Sequence, residues 1–161
     1  TAKLKIGTGS PKGAFLKGKV ASQALSVGPG QVVAPLPLSS GAAVLTTTKM
    51  TRMSGTLGAS QITNGILGGA IPMTEIHGKV VPAMAAIINR VYTDPLTDAS
   101  TKSLLKSLFD TNSDGAITGK ELASNIFVLT LLKPDIDTDG DKVKDALSIG
   151  FGFEAVSCLI Q

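Results

Sequence analysis

Asp110-Thr111-Asn112-Ser113-Asp114-Gly115-Ala116-Ile117-Thr118-Gly119-Lys120-Glu121 is the stretch on which the fold of this chain turns. Oxygen-bearing side chains stand at alternate positions, followed by a glycine, an apolar residue at the eighth place and a glutamate at the twelfth. A hard cation such as Ca²⁺ takes about six to eight oxygens at roughly 2.3–2.6 Å, and a loop of about twelve residues wraps it when alternate side chains turn inward. Asp110, Asn112 and Asp114 offer the first three oxygens, Gly115 permits the sharp turn, and Ala116 offers its carbonyl. Thr118 acts directly or through water, and Glu121 binds with both carboxylate oxygens from the start of the next helix. Ile117 points away from the ion and anchors the loop in the core. The same residue types build ordinary acidic turns, but a turn needs neither the terminal glutamate nor the apolar eighth residue. Mg²⁺ is the lesser rival, because it prefers six near-ideal positions and keeps water.

Helical patterns flank the loop. Before it, Leu104, Leu105, Leu108 and Phe109 form an apolar face on a helix capped by Thr97 or Asp98. After it, Leu122, Ile126, Phe127, Leu129 and Leu131 lie almost all round a helix over 119–132, which predicts burial, and Pro134 ends it. With these flanks, residues 98–132 resemble the EF-hand family, which implies calcium as the bound ion.

A second acidic run comes next, Asp135-Ile136-Asp137-Thr138-Asp139-Gly140-Asp141-Lys142-Val143-Lys144-Asp145. Starting a loop at Asp135 puts Gly140 at the turn but leaves Val143 and Ala146 where oxygens belong. Starting at Asp137 supplies Asp137, Asp139, Asp141 and Asp145, with Ser148 last and Lys142 where glycine is preferred. The second start gives more carboxylates and is favoured. It resembles the calcium-binding DxDxDGxxD repeats of extracellular proteins, with Lys142 as the departure. Five aspartates so close together repel one another without a cation, although a solvated acidic loop is the rival.

The two loops flank one short helix and look like a paired, shortened EF-hand whose second loop leads into a strand. A dockerin repeats nearly the same segment, whereas here the second half diverges. The order of a Gly/Ser/Thr-rich β region, Ile66–Pro72, a helix, and Asp139–Phe153 resembles a group of uncharacterised exported bacterial proteins. That resemblance implies export, hence a secreted, periplasmic or cell-surface location, and no activity.

Upstream, short runs bounded by turn residues predict strands over Ala2–Ile6, Phe15–Ala21, Gln31–Leu38, Ala43–Arg52 and Gly55–Ile62. Gly28-Pro29-Gly30 and Ser39-Ser40-Gly41 read as turns, Asn64-Gly65 as a hairpin signal, and Pro35 and Pro37 as marks of an edge strand. Gly65, Gly68 and Gly69 match no phosphate-loop spacing. Beyond Pro72, Ile76, Val80, Met84, Ile87 and Val91 recur at helical spacing over Thr74–Tyr92, with Thr74 as a cap and Gly78 and Pro82 predicting a kink or a late start. His77 stands alone there, without the partners a base or ligand needs. Asp94-Pro95 breaks the helix. Leu147, Ile149, Phe151, Phe153 and Ala155 alternate, so the tail 146–160 reads as a strand returning to the N-terminal sheet.

Composition bounds the rest. A chain of 161 residues is one domain, and 43% hydrophobic residues with 17% charged ones exclude a disordered tail. No apolar run reaches the roughly 18–20 residues that span a bilayer. Thr1–Ile6 carries no signal-peptide pattern, and a chain that begins at Thr is compatible with processing. The net charge of +3 hides an asymmetry: seven basic residues oppose Glu75 alone up to Gly78, while eight basic residues oppose eleven acidic ones from Lys79 onward. Only Phe15 is aromatic among the first group's cations, which is not the interleaved pattern of a nucleic-acid binder. One His, one Cys and no nucleophile-elbow, zinc-helix or triad pattern leave little for catalysis, and Cys158 alone forms no intrachain disulfide.

The expected fold is therefore α+β and one integrated domain: an antiparallel, sandwich-like region over 1–72, and a helical calcium-binding region over 73–161 whose last strand rejoins the sheet. The expected function is that of a non-enzymatic, exported calcium-binding protein in which Ca²⁺ stabilises the fold and supports contact with a protein or cell-surface partner. The alternatives are a calcium-dependent switch that exposes an apolar helix face, and a hydrolase with a structural calcium.

Overall fold

Alternation of half-buried and exposed residues runs the length of Ala24–Ser39, the pattern of a strand with one covered face. In the computed structural model, which describes residues 2–4, 15–39 and 42–160, this segment is β3 of a five-stranded antiparallel sheet. The strands β2 (Gly18–Ala21), β3, β4 (Ala42–Leu57), β5 (Gln61–Pro72) and β6 (Ala146–Val156) lie in the order β2-β3-β4-β5-β6. A separate parallel pair joins β1 (Ala2–Leu4) to β7 (Cys158–Ile160). Between β5 and β6 come the helices, so the chain is mixed α+β. Contacts divide it into two compact units: Thr1–Ala34, Thr47–Pro72 and Asp135–Gln161 form one, and Pro35–Thr46 with Met73–Pro134 the other. No helix of the described residues is long and apolar enough to cross a membrane.

Several turn signals act differently in the fold. Gly28-Pro29-Gly30 lies inside β3, not between strands; Gly28, at φ 92°, shifts the alternation by one residue, and a Cβ there would come 2.2 Å from the Thr51 carbonyl oxygen. The turn before β3 is Ser22-Gln23, with both φ angles positive (48° and 68°) in residues that rarely signal it. Asn64-Gly65 is a bulge inside β5, where the register shifts between Ile62 and Gly65. Gly65 is needed because a Cβ would collide with Phe153 at 2.5–2.8 Å. The hairpin itself turns at Gly58, whose N–H donates to the Gln61 carbonyl, so the strand expected over Gly55–Ile62 is divided between β4 and β5. The expected strand Ala2–Ile6 is described only as far as Leu4, and Ser40 and Gly41 of the expected turn lie outside the described residues.

The tail returns to the sheet: β6 pairs with β5 from Pro72↔Ala146 to Gln61↔Val156. Ala70, Ile71 and Ala146 are its buried apolar residues. On β4 the buried positions are threonines, Thr46, Thr48 and Thr51; the Thr48 hydroxyl donates to the Val32 carbonyl at 3.1 Å, and the Thr48 and Thr51 hydroxyls lie 3.0 Å apart.

The segment after Pro72 is helical throughout: α1 (Met73–Glu75), a π-helical turn (Ile76–Val80) and α2 (Val81–Thr93). Val81 N–H bonds to the Ile76 carbonyl, a five-residue step that accommodates Pro82, which has no N–H to give. α2 packs on α3 (Ala99–Phe109) and α4 (Gly119–Ser124), burying Ile76, Val80, Val81, Ala85, Ile117 and Leu122. Asp98 caps α3, accepting from the Thr101 N–H at 2.8 Å.

The helix expected over 119–132 is two: α4 and α5 (Ile126–Leu131). Asn125 breaks it by accepting from the N–H groups of Phe127 and Val128, which competes with helix continuation. Its amide also donates to the Leu108 carbonyl at 2.6 Å. The predicted burial fails as a result. Val128 is buried on α5, but Ile126, Phe127 and Leu131 are 68%, 64% and 71% exposed.

Candidate metal centre

The first loop begins where α3 ends. Asp110 is buried, and its carboxylate accepts from the Asp114 and Gly115 N–H groups, each at 3.1 Å. Asn112 accepts from the Asp114 N–H at 2.9 Å, and Asp114 from the Ala116 N–H at 2.8 Å. Each loop side chain thus holds the backbone a few residues ahead, the short-range bonding that suits Asp and Asn to turns. Gly115, at φ 85°, occupies the left-handed position that its absent side chain allows.

Glu121 closes the loop. One carboxylate oxygen accepts from Thr111 N–H and hydroxyl at 3.0 and 3.2 Å and from Asn112 N–H at 3.4 Å. The other accepts from Thr118 N–H and hydroxyl at 2.9 and 2.8 Å, while Glu121 N–H donates back to the Thr118 hydroxyl, a reciprocal cap on α4. The Thr118 donors, then those of Asn112 and Thr111, hold the Glu121 carboxyl down at about 2. Ile117 is buried as its place in the loop requires, and Asn89 on α2 fixes it, accepting from its N–H at 2.8 Å and donating to its carbonyl.

Counted from Asp137, the second loop repeats three of these bonds, from the first, third and fifth side chains to the N–H groups of positions six, five and seven, while Asp137 adds bonds from the Asp139 and Gly140 N–H groups where Asp110 takes that of Asp114. Asp137 accepts from the Lys142 N–H at 2.8 Å, the same five-residue step as Asp110 to Gly115, and from Gly140 N–H at 2.7 Å. Asp139 accepts from the Asp141 N–H and Asp141 from the Val143 N–H, at 3.2 and 2.7 Å, matching Asn112 and Asp114. Lys142 stands at the place of Gly115 and takes φ 72°. These backbone donors hold the Asp137 carboxyl below its ordinary value. Asp135, from which the other start would run, is turned away to Ser148 on β6, whose hydroxyl and N–H it accepts.

Closure differs. Thr138, the counterpart of Thr111, donates its N–H and hydroxyl to Asp145 at 2.7 and 2.6 Å, and these bonds lower the Asp145 carboxyl. Lys49 of β4 adds its charge to that lowering and donates to the Thr138 hydroxyl at 3.4 Å. The latch therefore falls at the ninth position of the second loop and the twelfth of the first.

The structure brings one oxygen each from Asp137, Asp139 and Asp141 within 4.8 Å of one another, a group that could hold a metal ion. Asp145 faces Thr138 and stands outside that group. In the first loop Asp110, Asp114 and Glu121 do not converge in this way, and the Asn112 amide donates to Asp114 at 2.9 Å. Loop spacing alone does not mark the Asn89 clamp or the two latching threonines. Thr111 and Thr138 do carry a signal, since each stands directly after the first aspartate of its loop; Asn89 carries none. Compared with known protein families, curated proteins and solved structures, the chain matches none.

Proposed function

We propose that this chain is a non-enzymatic calcium-binding protein that works outside the cytoplasm, with Ca²⁺ stabilising the fold and supporting contact with a protein or cell-surface partner. The observation that carries this reading is the partly repeated ladder: in both loops the first, third and fifth side chains accept from the N–H groups of positions six, five and seven, and in one of them three carboxylates converge. Oxygen-only donors favour a hard cation, and the flexible multi-oxygen loop favours Ca²⁺ over Mg²⁺. The EF-hand likeness of 98–132 and a sandwich-like role for the sheet, whose second layer a partner would supply, belong to this reading. Location rests on the resemblance to exported bacterial proteins.

The test is a Ca²⁺ titration of the whole chain by calorimetry, with thermal melts in Ca²⁺ and in EGTA. A ligand that binds the folded state alone raises the melting temperature by mass action. Replacing Asp139 and Asp141 together with Asn should weaken the second site at least about a hundredfold, since both charges and convergence are lost. Equal melting temperatures with and without EGTA, together with no bound calcium, would sink the reading.

The calcium-dependent switch draws on one observation, the exposure of Ile126, Phe127 and Leu131 on α5. It requires dye binding at that face to change with Ca²⁺.

A further inference from the structure

Away from the acidic loops, one face of the sheet carries an open concavity of about 400 Å³. Its shape comes from the strand register. Arg52 on β4 stands directly across from Gly68 on β5, and Gly68 directly across from Gly150 on β6, so a row that would hold three side chains holds one. A Cβ built on Gly68 would meet nothing nearer than 3.6 Å. In the next row Ser54 faces Ile66, which is 59% exposed. Ser26 and Pro29 of β3 complete the wall.

The chemistry of this lining is one-sided. Among the described residues, the Arg52 guanidinium and the Ser26 and Ser54 hydroxyls have no hydrogen-bond or ion-pair partner. No carboxylate stands among the described residues that line the concavity, and residues 1–72 contain no Asp or Glu at all. Lys19 lies directly across from Ser26, and residues opposite each other in an antiparallel pair share a face, so a second cation stands beside the wall. Donors and positive charge thus meet exposed apolar surface from Ile66 and Pro29, with the half-buried Met53 beside them. A planar guanidinium is the group best matched to a carboxylate, which it binds through two parallel hydrogen bonds.

We propose that this concavity binds a small organic anion, a carboxylate carried on an apolar body. Arg52 takes the carboxylate, Ser26 and Ser54 donate to it from the sides, and Ile66 with Pro29 covers the hydrocarbon over the Gly68 floor. This site is independent of calcium.

Octanoate is the probe, titrated into the whole chain in EGTA so that no bridging cation can recruit the acidic loops, with octanol as the uncharged control. Octanoate should bind wild type at least about tenfold more tightly than octanol, the scale of a charge-assisted bond. Arg52→Gln should remove about that factor for octanoate and leave octanol unchanged. Gly68→Val, for which the register leaves room, should block both ligands with Arg52 intact. Wild-type amide shifts at Gly68 and Gly150 on titration give a readout that needs no variant. Octanoate binding equal to octanol, or unmoved Gly68 and Gly150 amides at saturating octanoate, would overturn the site. So would equal octanoate affinity in a folded Arg52→Gln or Gly68→Val chain.

Discussion

The loops at 110–121 and 137–145 share three backbone bonds over their first seven positions and part at the latch. The shared part is local: each Asp or Asn reaches a backbone N–H within five residues, so the same short pattern folds the same way beside a helix or beside a strand. The latch depends on the element that comes next in the chain. After the first loop comes α4, whose third residue is Glu121, and the helix cap and the loop closure use one carboxylate. After the second comes β6, which starts at Ala146, so closure has to occur at Asp145, three positions earlier. The middle position differs as well. Asn112 donates its amide to Asp114, while Asp139 has no proton to give and leaves three carboxylates together. Three carboxylates so close repel one another, a cost that the Asn112–Asp114 hydrogen bond spares the first loop.

The two latches should differ most in what they contribute to stability. Glu121 is 7% exposed and accepts five hydrogen bonds, whereas Asp145 is half-buried and accepts two, both from Thr138. Glu121→Gln turns a donor toward N–H groups that need an acceptor, so melting in EGTA should fall by about 5 °C or more. Asp145→Asn should cost less than half of that. Equal losses would show that the two closures do the same work.

A smaller effect comes from pH. The folded Glu121 carboxyl lies at about 2, below its ordinary 4.5, so its stabilisation is complete above about pH 4.5 and is lost as pH falls toward 2. The gap in melting temperature between wild type and Glu121→Gln should therefore close across that window. The Asp145 carboxyl is also lowered, so the Asp145→Asn gap should close in the same direction. A gap that persists at pH 2 would mean that Glu121 acts through packing and not through its charge.

Much of this arrangement is legible in the sequence because it is local. The loop spacing, the Asp98 cap, the helix through 74–92 and the returning tail each rest on residues within a turn or two of one another. The features that stay hidden depend on distant partners. Asn64-Gly65 reads as a hairpin, yet Gly65 serves the Phe153 ring almost ninety residues away, and Asn64 lies in a bulge. Leu122 to Leu131 reads as one buried helix, yet Asn125 is drawn to the Leu108 carbonyl and splits it. Lys49 reaches Thr138 across 89 positions, which no periodicity could reveal.

The smallest difference between the loops lies at position six. Gly115 and Lys142 both adopt left-handed backbone, at φ 85° and 72°, but only glycine does so without a clash between Cβ and the following carbonyl. For Lys142 that conformation costs about 1 kcal/mol, offset in part by the greater freedom a glycine has in the unfolded chain. Lys142→Gly should therefore raise the melting temperature by about 1–3 °C, and Gly115→Ala should lower it, although no atom lies within 4 Å of a Cβ built there. Under the proposed function, calcium affinity should change with the same signs, because the sixth N–H donates to the first carboxylate in each loop. A lower melting temperature for Lys142→Gly would show that the lysine side chain holds the second loop in a way its backbone bonds do not.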